Sequence, residues 1–235
     1  ETGECKPCDG IDAAIDEKGG IDIKNDRHTK FHNRPHPAIN PGKAEITINQ
    51  EKGKGGNIVF KGVYGSLKVG KVIHAVGPRY SKYLGKYPEA DELLRQTYIN
   101  SLQVALDNNV THIGFSLLSS GIFSGDRGKE AIIKIGLYAI INFISSKPGL
   151  KEICLFAYTG NDDTELQIFK KIIQQISKAQ KDKFSEILRN SNLTLIDSKG
   201  DGTCMFHSIK GYKDLEDKVD GIKGKIVKVN QPTKW

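Results

Sequence analysis

Between residues 113 and 146 the chain changes character twice, and the two changes together allow few folds. Ile113-Gly114-Phe115-Ser116-Leu117-Leu118 is an apolar run of strand length. Ser119-Ser120-Gly121-Ile122-Phe123-Ser124-Gly125 breaks it with mostly small residues, and from Lys129 the chain restarts as a strongly apolar helix to about Ser146. A buried strand ending in a Ser/Gly loop that feeds a helix N-terminus gathers free backbone N–H groups at the positive end of the helix dipole. Glycine lets an anion approach the main chain, and open α/β sheets place ligands at the carboxyl ends of their strands. Residues 119–125 are therefore a candidate phosphate or pyrophosphate site. An ordinary strand–helix connection would use the same residue types.

The flanking sequence repeats the same alternation. Lys71-Val-Ile-His-Ala-Val76 reads as a buried strand stopped by Gly77-Pro78, and Tyr80 to Pro88 as an aromatic, basic loop. From Glu89 the apolar positions Leu93, Leu94, Tyr98, Leu102, Ala105 and Leu106 share a helical face. Pro148-Gly149 ends the helix that began at Lys129, and Glu152 to Tyr158 is a third buried strand. Asp162 followed by Glu165 has capping-box chemistry and opens a helix to about Lys178. Ala44 to Asn49 alternates as a short strand, and Glu51 to Gly56 is a Lys/Gly turn region.

Three buried strands alternating with three helices predict an α/β protein: a three-layer α/β/α sandwich around a central, mostly parallel sheet, with a small C-terminal appendage. The core occupies about 44–180, and 1–43 shows no assignable helix or strand. Gln180-Lys-Asp-Lys183 reads as a boundary, so the expected domains are 1–180 and 181–235. The second holds a short helix at Phe184–Arg189 and a strand at Leu193–Asp197.

Charge and cysteine content narrow the functional classes. The chain has 235 residues and a net charge of +7. The basic residues are spread out rather than gathered into an Arg-rich stripe, which fits a solvated surface better than a dedicated nucleic-acid face. No apolar run reaches the roughly 18–20 residues of a membrane span. The chain opens on Glu-Thr-Gly with neither Met nor signal-peptide pattern. Cys5, Cys8, Cys154 and Cys204 form no disulfide framework, so the expected setting is reducing and cytoplasmic. Cys5-Lys-Pro-Cys8 has half of a zinc-site spacing, with His28, His32 and His36 as candidates to complete it. No metal and no cofactor is expected.

Two motifs in order, Val72-Ile-His-Ala-Val-Gly-Pro78 and Leu118-Ser-Ser-Gly-Ile-Phe123, resemble the macrodomain family, and their wording looks most like its viral members. The resemblance takes in Pro41-Gly-Lys-Ala-Glu-Ile-Thr47 and runs through the strand 152–158. It implies binding of ADP-ribose, free or on a protein, with the loop matching Ser119, Ser120, Gly121, Ile122 and Phe123 around the diphosphate and distal ribose. Tyr158 matches the adenine rim. The family's other phosphate-side loop follows an Asn-Ala-Ala-Asn motif, matched here by Asp12-Ala-Ala-Ile15 and then Gly19, Gly20, Ile21 and Asp22. Some family hydrolases use an Asp after these glycines, and Asp22 fits that role in removing mono-ADP-ribose. Asp12 and Ile15 stand where the family has Asn. An Asp repels a diphosphate and an Ile cannot orient a water, so the pattern supports binding better than hydrolysis.

The tail resembles another family. Asp201-Gly-Thr-Cys204-Met-Phe-His-Ser-Ile209 looks like the nucleophile segment of ovarian-tumour-type cysteine proteases. That resemblance implies Cys204 as nucleophile, Asp201 near the oxyanion site and ubiquitin as partner. His207 lies too close to serve as its base. A third reading is a basic module for RNA or poly-ADP-ribose.

Overall fold

The computed structural model describes residues 11–35, 37–158, 164–179, 192–198 and 226–227. The first element is α1 (Ile11–Phe31), in the region expected to be irregular. It is two helical segments joined at Gly20, whose φ of 68° and ψ of −153° leave the helical region. Ile15 in the first segment and Ile23 in the second are both buried, and the intervening Gly19-Gly20 hides the helical character in the sequence. The turn at 64–67 closes the break. Ser66 donates to the Lys18 carbonyl from its backbone N–H at 2.8 Å and from Oγ at 3.1 Å. Gly65 makes this approach with φ 47°, and a Cβ there would lie 2.5 Å from the Lys18 oxygen. Gly65→Val is accordingly expected to lose about 2 kcal/mol, seen as a lower urea midpoint with an unchanged slope. An unchanged midpoint would show that the break does not depend on this turn.

Next come β1 (Ala44–Ile48), the hairpin strands β2 (Gln50–Lys52) and β3 (Ile58–Phe60), and β4 (Lys71–Ala75). β1 pairs antiparallel with β4, Ala44 opposite Ala75 and Ile48 opposite Lys71. Ile15, Ile23, Tyr64, Leu67 and Val72 form one hydrophobic cluster between this pair and α1.

His74 of β4 sits edge-on to Phe31 with ring centroids 5.4 Å apart, and its Nε2 is 2.9 Å from Thr47 Oγ1. Burial, reinforced by the Arg27 and Lys30 charges against a smaller opposing effect of Glu45, lowers its pKa to about 3. The unfolded chain binds this proton below about pH 6.5 while the folded chain refuses it, so stability is complete above pH 6.5 and falls as pH drops toward 3. Between pH 6.5 and 5, where carboxylates stay ionised, the expected loss is up to about 2 kcal/mol. Denaturant melts of wild type and His74→Gln across that window check it, the variant showing the flatter profile.

The larger cluster lies under α2 (Tyr87–Asp107), α3 (Lys129–Ser146) and α4 (Thr164–Ala179), against β5 (His112–Ser116) and β6 (Glu152–Tyr158). α2 carries Pro88 in its first turn and buries Ala90, Leu94, Tyr98, Leu102 and Ala105 along one face. α3 is covered on most sides, as its near-continuous apolar sequence predicts. β5 and β6 are parallel, with Gly114 opposite Cys154. β7 (Asn192–Ser198) adds parallel to β6, and β8 (Ile226–Val227) antiparallel to β7. The strand expected in a separate C-terminal unit thus extends the main sheet. The α/β sandwich class holds, while among the described residues hydrogen-bonded pairing falls into three small sheets: β1–β4, β2–β3 and β5-β6-β7-β8. Among the described residues no helix is long and apolar enough to cross a membrane.

Candidate anion site at the carboxyl ends of β4 and β5

The segment leaving β5 is pinned from two sides. The Leu118 N–H donates to the Tyr98 hydroxyl at 3.0 Å, and Tyr98 is 1% exposed beneath it. The Ser119 hydroxyl donates to the Pro78 carbonyl at 2.8 Å, which ties the loop after β5 to the loop after β4. Gly77 makes room, since a Cβ there would stand 2.3 Å from Ser119 Oγ. Ser119 itself holds a φ of 61°, a conformation that costs a non-glycine residue about 1 kcal/mol or more. Its hydroxyl bond offsets that strain. Ser119→Ala removes the bond and keeps the strain, and is expected to lose about 1 kcal/mol and lower the melting temperature by about 2–4 °C. Calorimetry on the two proteins checks it, and equal melting temperatures would contradict it.

Ser120 is buried, with its hydroxyl on the Leu117 carbonyl at 3.0 Å, and its N–H reaches the same oxygen at 3.4 Å. The Ser124 N–H bonds the Gly121 carbonyl at 2.9 Å and starts the 3-10 turn Ile122–Arg127. Among the described residues the N–H groups of Ser119, Gly121, Ile122 and Phe123 have no acceptor. A Cβ on Gly121 would meet nothing within 4 Å, Ile122 is 86% exposed and Phe123 is partly exposed. Four unsatisfied donors in an exposed loop are available to an acceptor from outside the chain.

The rim is held rigidly. Arg127 makes a two-pronged bond to Asp91, Nε to Oδ1 at 2.9 Å and Nη2 to Oδ2 at 2.7 Å, and the Tyr80 hydroxyl donates to the same Oδ1 at 3.0 Å. The Arg127 guanidinium also lies over the Tyr87 ring at 5.6 Å. Burial and the bond to Asp91 push the Tyr80 phenol up, so it stays protonated and donating. Arg79, next to Pro78, is exposed, and among the described residues its side chain bonds Ser81 Oγ at 3.2 Å. The sequence reading passed over Arg79; its place directly after Gly77-Pro78 is the signal that marks it.

The other expected site residues are placed as follows. Ser116 is opposite Phe156, so the backbone of Tyr158 ends β6 on the same edge as this loop. Gly19, Gly20, Ile21 and Asp22 sit at the break in α1, where Gly19 packs on Leu67 ahead of the amino end of β4. Ser119 packs on Pro78 beyond its carboxyl end, and the six-residue advance from Lys71 to Gly77 covers about 20 Å in a strand. The structure therefore does not bring the two glycine-containing segments together. Asp22 pairs with Lys61 at 3.2 Å, and Asp12 with Arg27 at 3.2 Å. Asp201 and Cys204 lie outside the described residues, as do Cys5, Cys8 and His36. Among the described residues no group of three or more His, Cys, Asp or Glu side chains is placed to hold a metal.

A donor-lined loop thus lies between parallel strand and helix at the carboxyl edge of an α/β sandwich. Residues 4–133 match the Macro domain family, and the chain belongs to it. An uncharacterized protein of Thermoplasma volcanium is 34% identical over 144 residues, covering 60% of this chain and 64% of that one. The chain thus spans less than two thirds of that relative's length. The O-acetyl-ADP-ribose deacetylase of Citrobacter rodentium is 29% identical over 144 residues, covering 60% and 76%. An Oceanobacillus iheyensis macrodomain solved with ADP has a TM-score of 0.54 at 20% identity, over 73% of this chain and 78% of that one, a likeness of fold.

Proposed function

We propose that the chain binds ADP-ribose, free or attached to protein, with the diphosphate in the Ser119–Phe123 loop. The observation that carries this reading is the set of four N–H groups without acceptors among the described residues, at Ser119, Gly121, Ile122 and Phe123, in a loop held by Tyr98 and Pro78. A pre-formed donor set binds an anion without ordering a flexible loop first. Arg79 adds an exposed positive charge beside it, and Tyr158 at the end of β6 is the proposed adenine shelf. The relative named for O-acetyl-ADP-ribose deacetylation and the fold neighbour holding ADP support the same ligand class.

The function is binding rather than removal of ADP-ribose. The expected catalytic carboxylate, Asp22, lies toward the other end of β4 and is ion-paired to Lys61. Ile15, where the family motif has an Asn, is 7% exposed in the cluster under α1 and has no polar atom to offer. Isothermal titration with ADP-ribose, and with adenosine as the ligand lacking the diphosphate, tests the reading. Saturable heat with ADP-ribose and much weaker binding of adenosine are expected; no heat at millimolar ADP-ribose, or equal affinities, would refute it.

A further inference from the structure

The loop that carries the unpaired N–H groups is tied at its start by the Ser119 hydroxyl on the Pro78 carbonyl. Its far end is the 3-10 turn Ile122–Arg127, and hydrophobic packing does not hold that turn. None of its residues is buried. Gly125, with φ 49° and ψ −139°, breaks the turn before its last two residues, and Gly128 follows with a φ of 82°. A segment with glycine at 121, 125 and 128 and no buried anchor of its own has many conformations open to it.

One carboxylate closes that freedom. Asp91 stands near the start of α2 between Ala90 and Leu94, both fully buried, so its backbone is a firm base. It accepts both prongs of the Arg127 guanidinium, at 2.9 and 2.7 Å, and the Tyr80 hydroxyl at 3.0 Å. Arg127 ends the turn after β5, while Tyr80 belongs to the loop after β4, so Asp91 fastens both loops to α2. The two loops also touch: a Cβ on Gly125 would lie 3.1 Å from the Ser81 nitrogen. A two-pronged, charge-assisted pair fixes orientation as well as distance, and both partners here are partly buried.

We infer that Asp91 is the positioning residue of the donor loop: by gripping Arg127 it holds the main chain of Gly121, Ile122 and Phe123 in one conformation. Its oxygens are taken up by Arg127 and Tyr80, and a carboxylate repels a diphosphate, so it acts through Arg127 and not on the ligand. The inference takes its ligand from the ADP-ribose reading above, and the clamp itself stands on the geometry. The sign of the effect is informative. Neutralising Asp91 leaves the Arg127 charge uncompensated, which would strengthen diphosphate binding if Arg127 met the ligand directly. It weakens binding if the loop must first be ordered.

Asp91→Asn keeps an acceptor for the Tyr80 hydroxyl and removes the charge and the second prong. Amide ¹⁵N relaxation of the ligand-free proteins reads the clamp, and calorimetric titration with ADP-ribose and with adenosine reads its consequence. Order parameters at 121–123 are expected near about 0.85 in the wild type and to fall toward about 0.6 in the variant. ADP-ribose affinity should drop about tenfold while adenosine affinity stays the same. Arg127→Gln should reproduce both effects, and the double variant should be no worse than either single one. A carboxylate that merely supports the fold would lower the melting temperature without changing loop order or the ratio of the two affinities. That result would overturn the proposal, and so would a gain in ADP-ribose affinity in Asp91→Asn that Arg127→Gln abolishes. If the wild type takes up no ADP-ribose, the ligand reading fails by itself, and the relaxation data still decide the clamp.

Discussion

Gly136→Val is expected to destabilise the protein by about 3 kcal/mol and lower its melting temperature by about 6–12 °C. Gly136 lies mid-way along α3, where glycine is normally a loss of about 1 kcal/mol relative to alanine. The reason for it here is Tyr98. A Cβ at this position would stand 2.6 Å from Cε2, 2.7 Å from Cζ and 3.0 Å from the hydroxyl of that ring. Tyr98 has little room to retreat, because it is 1% exposed and lies against Phe115 at 5.4 Å between centroids. Its hydroxyl is also the acceptor for the Leu118 N–H at the entrance to the anion loop. Displacing the ring therefore does two things: it strains the α2–α3 contact and leaves a half-buried N–H without its partner. Calorimetry reads the first effect and the affinity for ADP-ribose the second, both falling together. A variant as stable as wild type would mean that α2 and α3 do not approach as closely as the structure has them.

Much of this arrangement was legible in the sequence. The strands at 71–75, 112–116 and 152–158 are apolar runs ended by Gly-Pro, Ser-Gly or a polar break, and the helices between them keep a clear apolar face. The loop at 119–125 was legible for the same reason, as a run of mostly small residues between a buried strand and an apolar helix. α1 was not, because Gly19-Gly20 breaks it into two short segments, neither long enough to show a clear helical period. Nor was the hairpin: Ile58-Val59-Phe60 is a strand exposed on both faces, so it shows neither alternation nor a core to explain it. Motif order also put Gly19–Asp22 beside the loop at 119–125. Where a segment packs is decided by long-range contacts, here Ile15 and Ile23 against Leu67 and Val72, and motif order carries no information about those. Similarly, the partner of β7 is a long-range choice that the apolar run Leu193–Ile196 leaves open.

Gly121→Glu is expected to abolish ADP-ribose binding while leaving the fold intact, and it separates the site from its scaffold more cleanly than any change in the core. Gly121 has a φ of −89°, and nothing lies within 4 Å of the position its Cβ would take. A side chain there enters solvent rather than the protein, so melting should move by no more than the roughly 0.5 kcal/mol of an ordinary surface substitution. The N–H groups of Gly121, Ile122 and Phe123, which have no acceptor among the described residues, are its immediate neighbours in the chain. A carboxylate placed there competes for those N–H groups and repels a diphosphate; a few ångströms apart at a protein surface, that repulsion is about 2–4 kcal/mol, or 30-fold and upward in affinity.

The most direct test is one titration calorimetry experiment with ADP-ribose on the wild type and on Gly121→Glu, both confirmed folded by their melting curves. Saturable binding by the wild type and its loss in the variant is the predicted result. Equal affinities in two equally stable proteins would place the ligand elsewhere and contradict the assignment of the Ser119–Phe123 loop.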